Sequence, residues 1–266
     1  MSKYFTVFQI AWQNEFVYRL NFLLWRFRNI LRLLMTFFLW RGIFVSNNKV
    51  FGYNQPEIFA YIFLVLVIQT IIFSAPSADN IGGEISSGDL SNYLVKPISY
   101  LKYWFTRDLA SKLLNIIFAF MEILLLWFVL RPNIYLPADI FSILGFVISI
   151  FMATLIYYFV NVITKFVAFW TPENTWGLTF VTLVLIEILA GQIFPLDVLP
   201  HWAITILDFT PFPYLVYYPI AILLGKTSGI NALRVLLQSL IWLVLMSQAT
   251  KYIWKKGLIA YSSEGR

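Results

Sequence analysis

Few residues in this 266-residue chain have the chemistry for a reaction, and their spacing argues against one. The tripeptide Gly225-Lys226-Thr227 has the ending of a phosphate-binding loop, in which backbone amides and a lysine cradle a nucleotide. That motif wants another glycine five positions before Gly225, and Ile220 stands there, just after Pro219. The single histidine, His201, lies near Asp197 and Asp208, and an imidazole with a carboxylate is an acid–base pair in outline. No glycine-framed serine accompanies it, so an interfacial histidine is the better reading, and a membrane-embedded transferase or hydrolase is the enzymatic alternative. Cysteine is absent and histidine occurs once, which removes disulfides, thiol nucleophiles, thiolate metal sites and multi-histidine metal sites. Two carboxylates remain of interest, Glu122 in Phe120-Met121-Glu122-Ile123-Leu124 and Glu187 in Leu185-Ile186-Glu187-Ile188-Leu189. Each sits in an apolar run, where an ionised group is costly unless it is paired or faces water.

The elements that carry these residues are membrane elements. Apolar residues make up 60% of the chain and charged ones only 12%, against about half and about a quarter in soluble domains. Aromatic residues reach 19%, and a folded sphere of this size cannot hide so much apolar surface. The solvent is therefore lipid. Six apolar runs are long enough to be read as helical spans: Phe22 to Val45, Ile58 to Ala75, Ala110 to Leu130, Ile140 to Ile163, Trp176 to Ile193 and Asn231 to Ile253. Together they take nearly half the chain and leave no stretch able to bury a soluble core, so residues 1–266 read as one membrane domain. The first run is the least clean, with Arg26, Arg28 and Arg32 near its start and Arg41 near its end, where long stems can snorkel to an interface.

With both termini inside, the inner segments hold thirteen Lys and Arg residues and the outer ones five, so the positive-inside rule puts both termini in the cytoplasm. The net charge of +6 then reflects a one-sided distribution, and nucleic-acid binding is excluded as its explanation. The first twenty residues mix Gln9, Gln13, Asn14 and Glu15 into apolar sequence, unlike a cleavable leader. At helical spacing Phe5, Phe8, Trp12 and Phe16 share a face while Thr6, Gln9 and Gln13 share another, which predicts an interfacial amphipathic helix over 1–20. A loosely attached helix with no role has the same pattern.

Three connections differ in kind. Phe51 to Glu57 is a short external turn. Phe194 to Gly229 is external and rich in aromatics, with Pro195, Pro200, Pro211, Pro213 and Pro219 breaking the backbone into short pieces. Most of its aromatics fit an interfacial belt. Asp79 to Trp104 is cytoplasmic and polar, far longer than the two to eight residues that join neighbouring helices. Its glycines permit turns, Leu90, Tyr93 and Leu94 keep an apolar register, and Lys96-Pro97 forces an extended exit. Such a segment is suited to present a small surface to a cytosolic partner.

In this loop Ile85, Gly88, Leu90, Tyr93-Leu94 and Lys96-Pro97 resemble the membrane subunits of ATP-binding-cassette exporters of the second type, the ABC-2 permeases. Gly191-Gln192-Ile193-Phe194-Pro195-Leu196 followed by Leu199-Pro200-His201-Trp202 is similar to that family's re-entrant element, where the chain dips back into the outer leaflet. The ending Trp254-Lys255-Lys256-Gly257-Leu258 with Tyr261 and Ser262 is similar to its cytoplasmic tail. The resemblance covers nearly the whole chain.

It implies an all-α fold of six transmembrane helices, with an N-terminal interfacial helix, a cytoplasmic coupling helix and an outer re-entrant element between spans five and six. It also implies a subunit that holds no cofactor and is no enzyme by itself, since ATP and magnesium are bound by cytosolic ABC ATPase partners. A second permease subunit, identical or similar, would complete the dimer, and membrane lipid would surround it. The implied place is a bacterial plasma membrane and the implied activity is export of an amphiphilic or drug-like substrate. Flipping of a lipid or lipid-linked glycan, and a purely structural partner of another membrane complex, are the alternatives. The coupling role falls by resemblance on Glu84, Ile85, Gly88, Asp89, Leu90, Lys96 and Pro97, the other reading being that these residues only fold the loop. Glu187, Phe194 and Pro195 are assigned to the translocation path, with Phe194 at an outer gate. Glu187 either faces the path and favours cationic cargo, or pairs with an arginine of span one, or is a protonated carboxyl bonded to a neighbouring helix, and Glu122 is expected to have a structural partner.

Overall fold

The protein is described by a computed structural model covering residues 3–17, 19–46, 48–74, 77–134 and 139–261. The side chain of Phe16, the end of the second run at Ala75 and the tail residue Ser262 fall outside the described residues. Eleven helices appear among those described: α1 (Lys3–Val17), α2 (Arg19–Ile43), α3 (Gln55–Ile72), α4 (Ser77–Ser86), α5 (Ser91–Leu94), α6 (Tyr100–Leu130), α7 (Ile140–Phe166), α8 (Thr175–Leu189), α9 (His201–Asp208), α10 (Tyr217–Leu223) and α11 (Gly229–Ala260). One antiparallel hairpin, β1 (Lys49–Val50) and β2 (Tyr53–Asn54), pairs Lys49 with Asn54 and Val50 with Tyr53. Its two-residue turn uses positive φ at Phe51 and Gly52, the geometry that matches the strand twist. The external turn expected here is thus a tight hairpin that leads directly into α3.

Among the described residues, four helical segments have the length and apolar composition to cross a bilayer: Gln55–Ile72, Tyr100–Leu130, Ile140–Phe169 and Gly229–Ala260. Of these, α3 is the centre. It is apolar around its whole circumference, and 67% of its apolar window is buried, against 11% for that of α11. Its start is held by the Asn54 amide, which donates to the Glu57 carboxylate at 2.9 Å, and by Pro56 in the first turn. The outward faces of α6, α7 and α11 carry exposed side chains such as Phe120, Phe128, Phe141, Phe151, Leu237 and Ile241, the surface lipid would wet.

Helix ends differ from the apolar runs in both directions. The third helix begins at Tyr100, ten residues before the run that marks it, because Ser99 follows the Lys96-Pro97 exit and the next residues mix Lys102, Arg107 and Asp108 with aromatics. Hydropathy does not register such a turn, although its backbone is helical. The fifth run ends as helix at Leu189, and Gly191, with φ of +82°, turns the chain. A β-carbon there would stand 2.9 Å from the Tyr61 hydroxyl, so the glycine is required twice over.

After that turn the external segment breaks into a 3-10 turn at Leu196–Val198, then α9, then α10. Five of the seven residues of α10 are buried, and it packs on α7 inside the bundle. At the opposite end, α4, the start of α6 and the ends of α7 and α11 share a second core containing Ile81, Ile85, Leu90, Trp104 and Phe166. Trp254 of α11 stacks on Tyr100 there, with ring centroids 5.4 Å apart.

Gly257 is the closest approach in this core. A β-carbon would lie 2.2 Å from Cδ2 of Phe169, so Gly257→Ala must displace that ring, and overpacking of this kind costs about 1–3 kcal/mol. The expected result is a lower thermal midpoint in detergent for Gly257→Ala, with much of the loss recovered by adding Phe169→Leu; an unchanged midpoint would contradict the packing described.

Candidate coupling surface and membrane ion pairs

The polar loop between α3 and α6 is folded on a carboxylate. Glu84, near the end of α4, accepts hydrogen bonds from the Tyr93 hydroxyl at 2.8 Å, the Tyr100 hydroxyl at 2.6 Å and the Trp104 indole at 3.0 Å. Burial and the neighbouring Glu84 charge push the Tyr93 hydroxyl well above the usual phenol range, which keeps it a donor. Ile85 and Leu90 are buried beneath, 4% and 0% exposed. Gly88 takes positive φ, and its carbonyl accepts from the Tyr261 hydroxyl at 2.6 Å and from the Ser91 hydroxyl at 2.8 Å. Tyr261 in turn accepts from the Ser91 amide at 3.1 Å, so the end of the described chain closes the loop.

These contacts divide the expected coupling residues into two sets. Glu84, Ile85, Gly88 and Leu90 form the base. Asp89, Lys96 and Pro97 lie on the surface with Asn92, Leu94 and Val95, and a cleft runs between Glu84, Asp89, Asn92, Val95 and Lys96. The start of α1 reaches the same place, where the Lys3 ammonium donates to the Pro97 carbonyl and the Tyr4 hydroxyl accepts from the Ser99 amide at 3.2 Å. Phe8 and Trp12 of α1 stack at 6.2 Å and are half-buried, Phe5 is exposed, and the helix packs along α6.

Both intramembrane carboxylates meet arginines of α2. Arg26 holds Glu122 with both arms of its fork, at 2.6 and 2.7 Å, and its remaining nitrogen reaches the carbonyl and side-chain oxygens of Asn115 at 3.3 Å. Glu122 thus has the structural partner expected of it. Arg32 pairs with Glu187 in a more open setting, with side chains 35% and 41% exposed. Beside this pair lies a cleft lined by Thr36, Tyr61, Gln69 and Gln192. Gln69 donates to Gln192 at 2.9 Å and Tyr61 donates to the Gly191 carbonyl, which ties the turn after α8 to α3. Phe194 is half-buried and touches the clusters on both sides of α3, and Pro195 is buried.

The outer polar residues are engaged separately. Asp197 accepts from Tyr53 at 2.7 Å, Asp208 accepts from the Tyr218 hydroxyl, and the His201 ring nitrogen lies 3.4 Å from the Thr205 hydroxyl. Lys226 pairs with Glu57 at 3.1 Å and lies over the Tyr53 ring at 4.4 Å. Asp197, Asp208 and Lys226 therefore tie the hairpin and the short helices together, while His201 is exposed and contacts Thr205 of its own helix. Two polar residues carry no motif and were not singled out by spacing: Asp108 and Lys112, 1% and 5% exposed on α6. Their signal is a four-residue interval that continues Tyr100 and Trp104.

An all-helical chain with apolar membrane-length helices and a folded polar loop at one end is the architecture of a transporter membrane domain. The chain belongs to the ABC-2 family of transporter proteins, whose family model matches residues 30–265. The comparison with curated proteins returns no match. It is therefore a multi-pass membrane protein and the membrane component of an ABC transporter, a family whose members associate with ABC ATPases.

The two ion pairs differ in burial, and this sets an expected order of stability. Glu122→Gln leaves the Arg26 charge, only 4% exposed, without its partner, a change that costs about 3–5 kcal/mol. Glu187→Gln breaks a pair whose partners are less enclosed by the protein, and it is expected to cost less than Glu122→Gln. Thermal unfolding of the two variants in the same detergent checks this, and equal losses would contradict it.

Proposed function

We propose that this chain is the permease subunit of an ATP-driven exporter, moving an amphiphilic or drug-like substrate out of the cell with ATP hydrolysed by separate subunits. The observation that carries the reading is the rigid cytoplasmic loop. A segment whose base is fixed by Glu84, Gly88 and Tyr261 while Asp89, Asn92, Leu94, Val95 and Lys96 stand outward is suited to receive force from a docked protein. A floppy connection would dissipate that force.

In this reading six spans cross a bacterial plasma membrane, with α2 and α8 added to the four longest helical segments and both termini in the cytoplasm. Two permease subunits, identical or similar, face each other over two ATPases that bind ATP and magnesium. Closure of the ATPases pushes on the loop, the cavity between the permeases narrows, and the outer element opens. Glu187, Phe194 and Pro195 line the outer part of the path. Arg32 balances the charge of Glu187, so selectivity for cationic cargo would require the pair to open during transport.

The test is purification of the tagged protein from its native membrane in mild detergent, with mass spectrometry of what accompanies it and an ATPase assay. A stoichiometric P-loop ATPase is the expected companion, and a pure, folded chain with none would overturn the reading. Asp89→Lys reverses a charge on the outward surface without touching the base. It is expected to reduce the amount of co-purified ATPase at least several-fold while leaving the membrane level of the permease unchanged, and full recovery of ATPase would remove Asp89 from the docking surface.

A further inference from the structure

Along α6, Tyr100, Trp104, Asp108 and Lys112 recur every four residues and form one buried stripe, none more than 5% exposed. Together they hold three places on the chain that leads from α3 through α4. Tyr100 and Trp104 donate to Glu84 near the end of α4. The Asp108 carboxylate accepts from the Ser77 amide at 2.8 Å and the Ser77 hydroxyl at 2.6 Å, at the first turn of α4. The Lys112 ammonium donates to the carbonyls of Ile72 and Ser74, at the end of α3, the second at 2.7 Å. The signs are the matching ones. Free amides at a helix start carry partial positive charge and meet a carboxylate, while free carbonyls at a helix end carry partial negative charge and meet an ammonium. Asn161 of α7 adds a bond to the Ser77 hydroxyl at 3.1 Å.

We propose that α6 is the lever through which a push on α4 enters the membrane, with Asp108 and Lys112 as the positioning residues that lock it to α4 and to the end of α3. The proposal rests on the transporter reading above. Tyr100 and Trp104 hold one end of α4 and Asp108 the other, while Lys112 holds the end of α3, so α4 is bound to α6 at both ends. Charge-assisted bonds shielded from water are also harder to exchange for solvent than exposed ones. A displacement delivered at Asp89 or Lys96 is therefore carried into a helix of 31 residues that reaches to Leu130. Through Ser77 it also reaches α7, against which α10 and α11 pack. Glu122, one helical path further along α6, passes the movement to α2 through Arg26.

The experiment uses the whole chain with its co-purified ATPase in lipid nanodiscs, and the absence of cysteine permits site-specific labels. Nitroxides are placed at Gly83→Cys on the open face of α4 and at Ser228→Cys beside the start of α11, with labelled chain diluted by unlabelled chain. Pulsed EPR distances are recorded without nucleotide and after trapping with ATP, magnesium and vanadate. The parent is expected to give a narrow distribution that shifts on trapping. Asp108→Ala is expected to broaden the nucleotide-free distribution by about twofold and to lose most of the shift per ATP hydrolysed. Asp108→Asn, whose amide oxygen still accepts from Ser77, recovers about half of it, whereas a residue with a merely structural role would lower shift and ATPase rate together.

A full shift in Asp108→Ala overturns the proposal, and so does a shift that falls only in proportion to ATPase rate with no recovery in Asp108→Asn. A parent complex without ATPase overturns the transporter reading instead. The nucleotide-free widths then decide the remaining claim: broadening in Asp108→Ala supports the lock between α4 and α6, and an unchanged width overturns it.

Discussion

A charge taken out of water must be met by an opposite charge or by the free end of a helix, and this bundle is assembled around such meetings. Arg26 meets Glu122, Asp108 meets the start of α4, and Lys112 meets the end of α3. Glu84 is surrounded by two tyrosines and a tryptophan that all donate to it. These sites share one partner, α6, which supplies Tyr100, Trp104, Asp108, Lys112, Asn115 and Glu122. The long helix α6 thereby connects the polar loop to α2, α3 and α4 by bonds that have direction, while dispersion and shape hold the apolar surfaces.

The division of labour within the loop follows from the same constraint. Glu84 turns its carboxylate to Tyr93, Tyr100 and Trp104, and the Gly88 carbonyl is closed by Tyr261. Only then do Asp89, Asn92 and Lys96 remain outside and available. At the opposite end of the molecule Tyr53, Asp197, Lys226 and Glu57 join the hairpin to the helices, and several short helices replace one long one.

The composition and the six apolar runs establish the solvent and the helical class, because a span is a local property: about twenty residues of one character are enough to cross a bilayer. The breaks in the proline-rich segment 194–229 were legible for a similar reason, since proline acts on its own backbone, whereas the turn at Gly191 lies inside an apolar run that reads as helix to Ile193. Helix ends were less so. The start at Tyr100 lies in amphipathic sequence, and its helical state depends on α4, α7 and α11 packing against aromatics that hydropathy counts as neutral.

What the chain alone could not specify was the partner of each charge. Glu122 and Glu187 were visible as costly residues, but Arg26 and Arg32 lie 96 and 155 positions away from them, and either arginine satisfied the electrostatic need. Asp108 and Lys112 match no motif, for their partners are mostly backbone groups at helix ends, which every residue possesses. The sequence by itself determined which segments leave water and which residues would be penalised there. Tertiary structure alone decided who answers that penalty, because a pairing is set by the distance between helices and that distance is written in no single one of them.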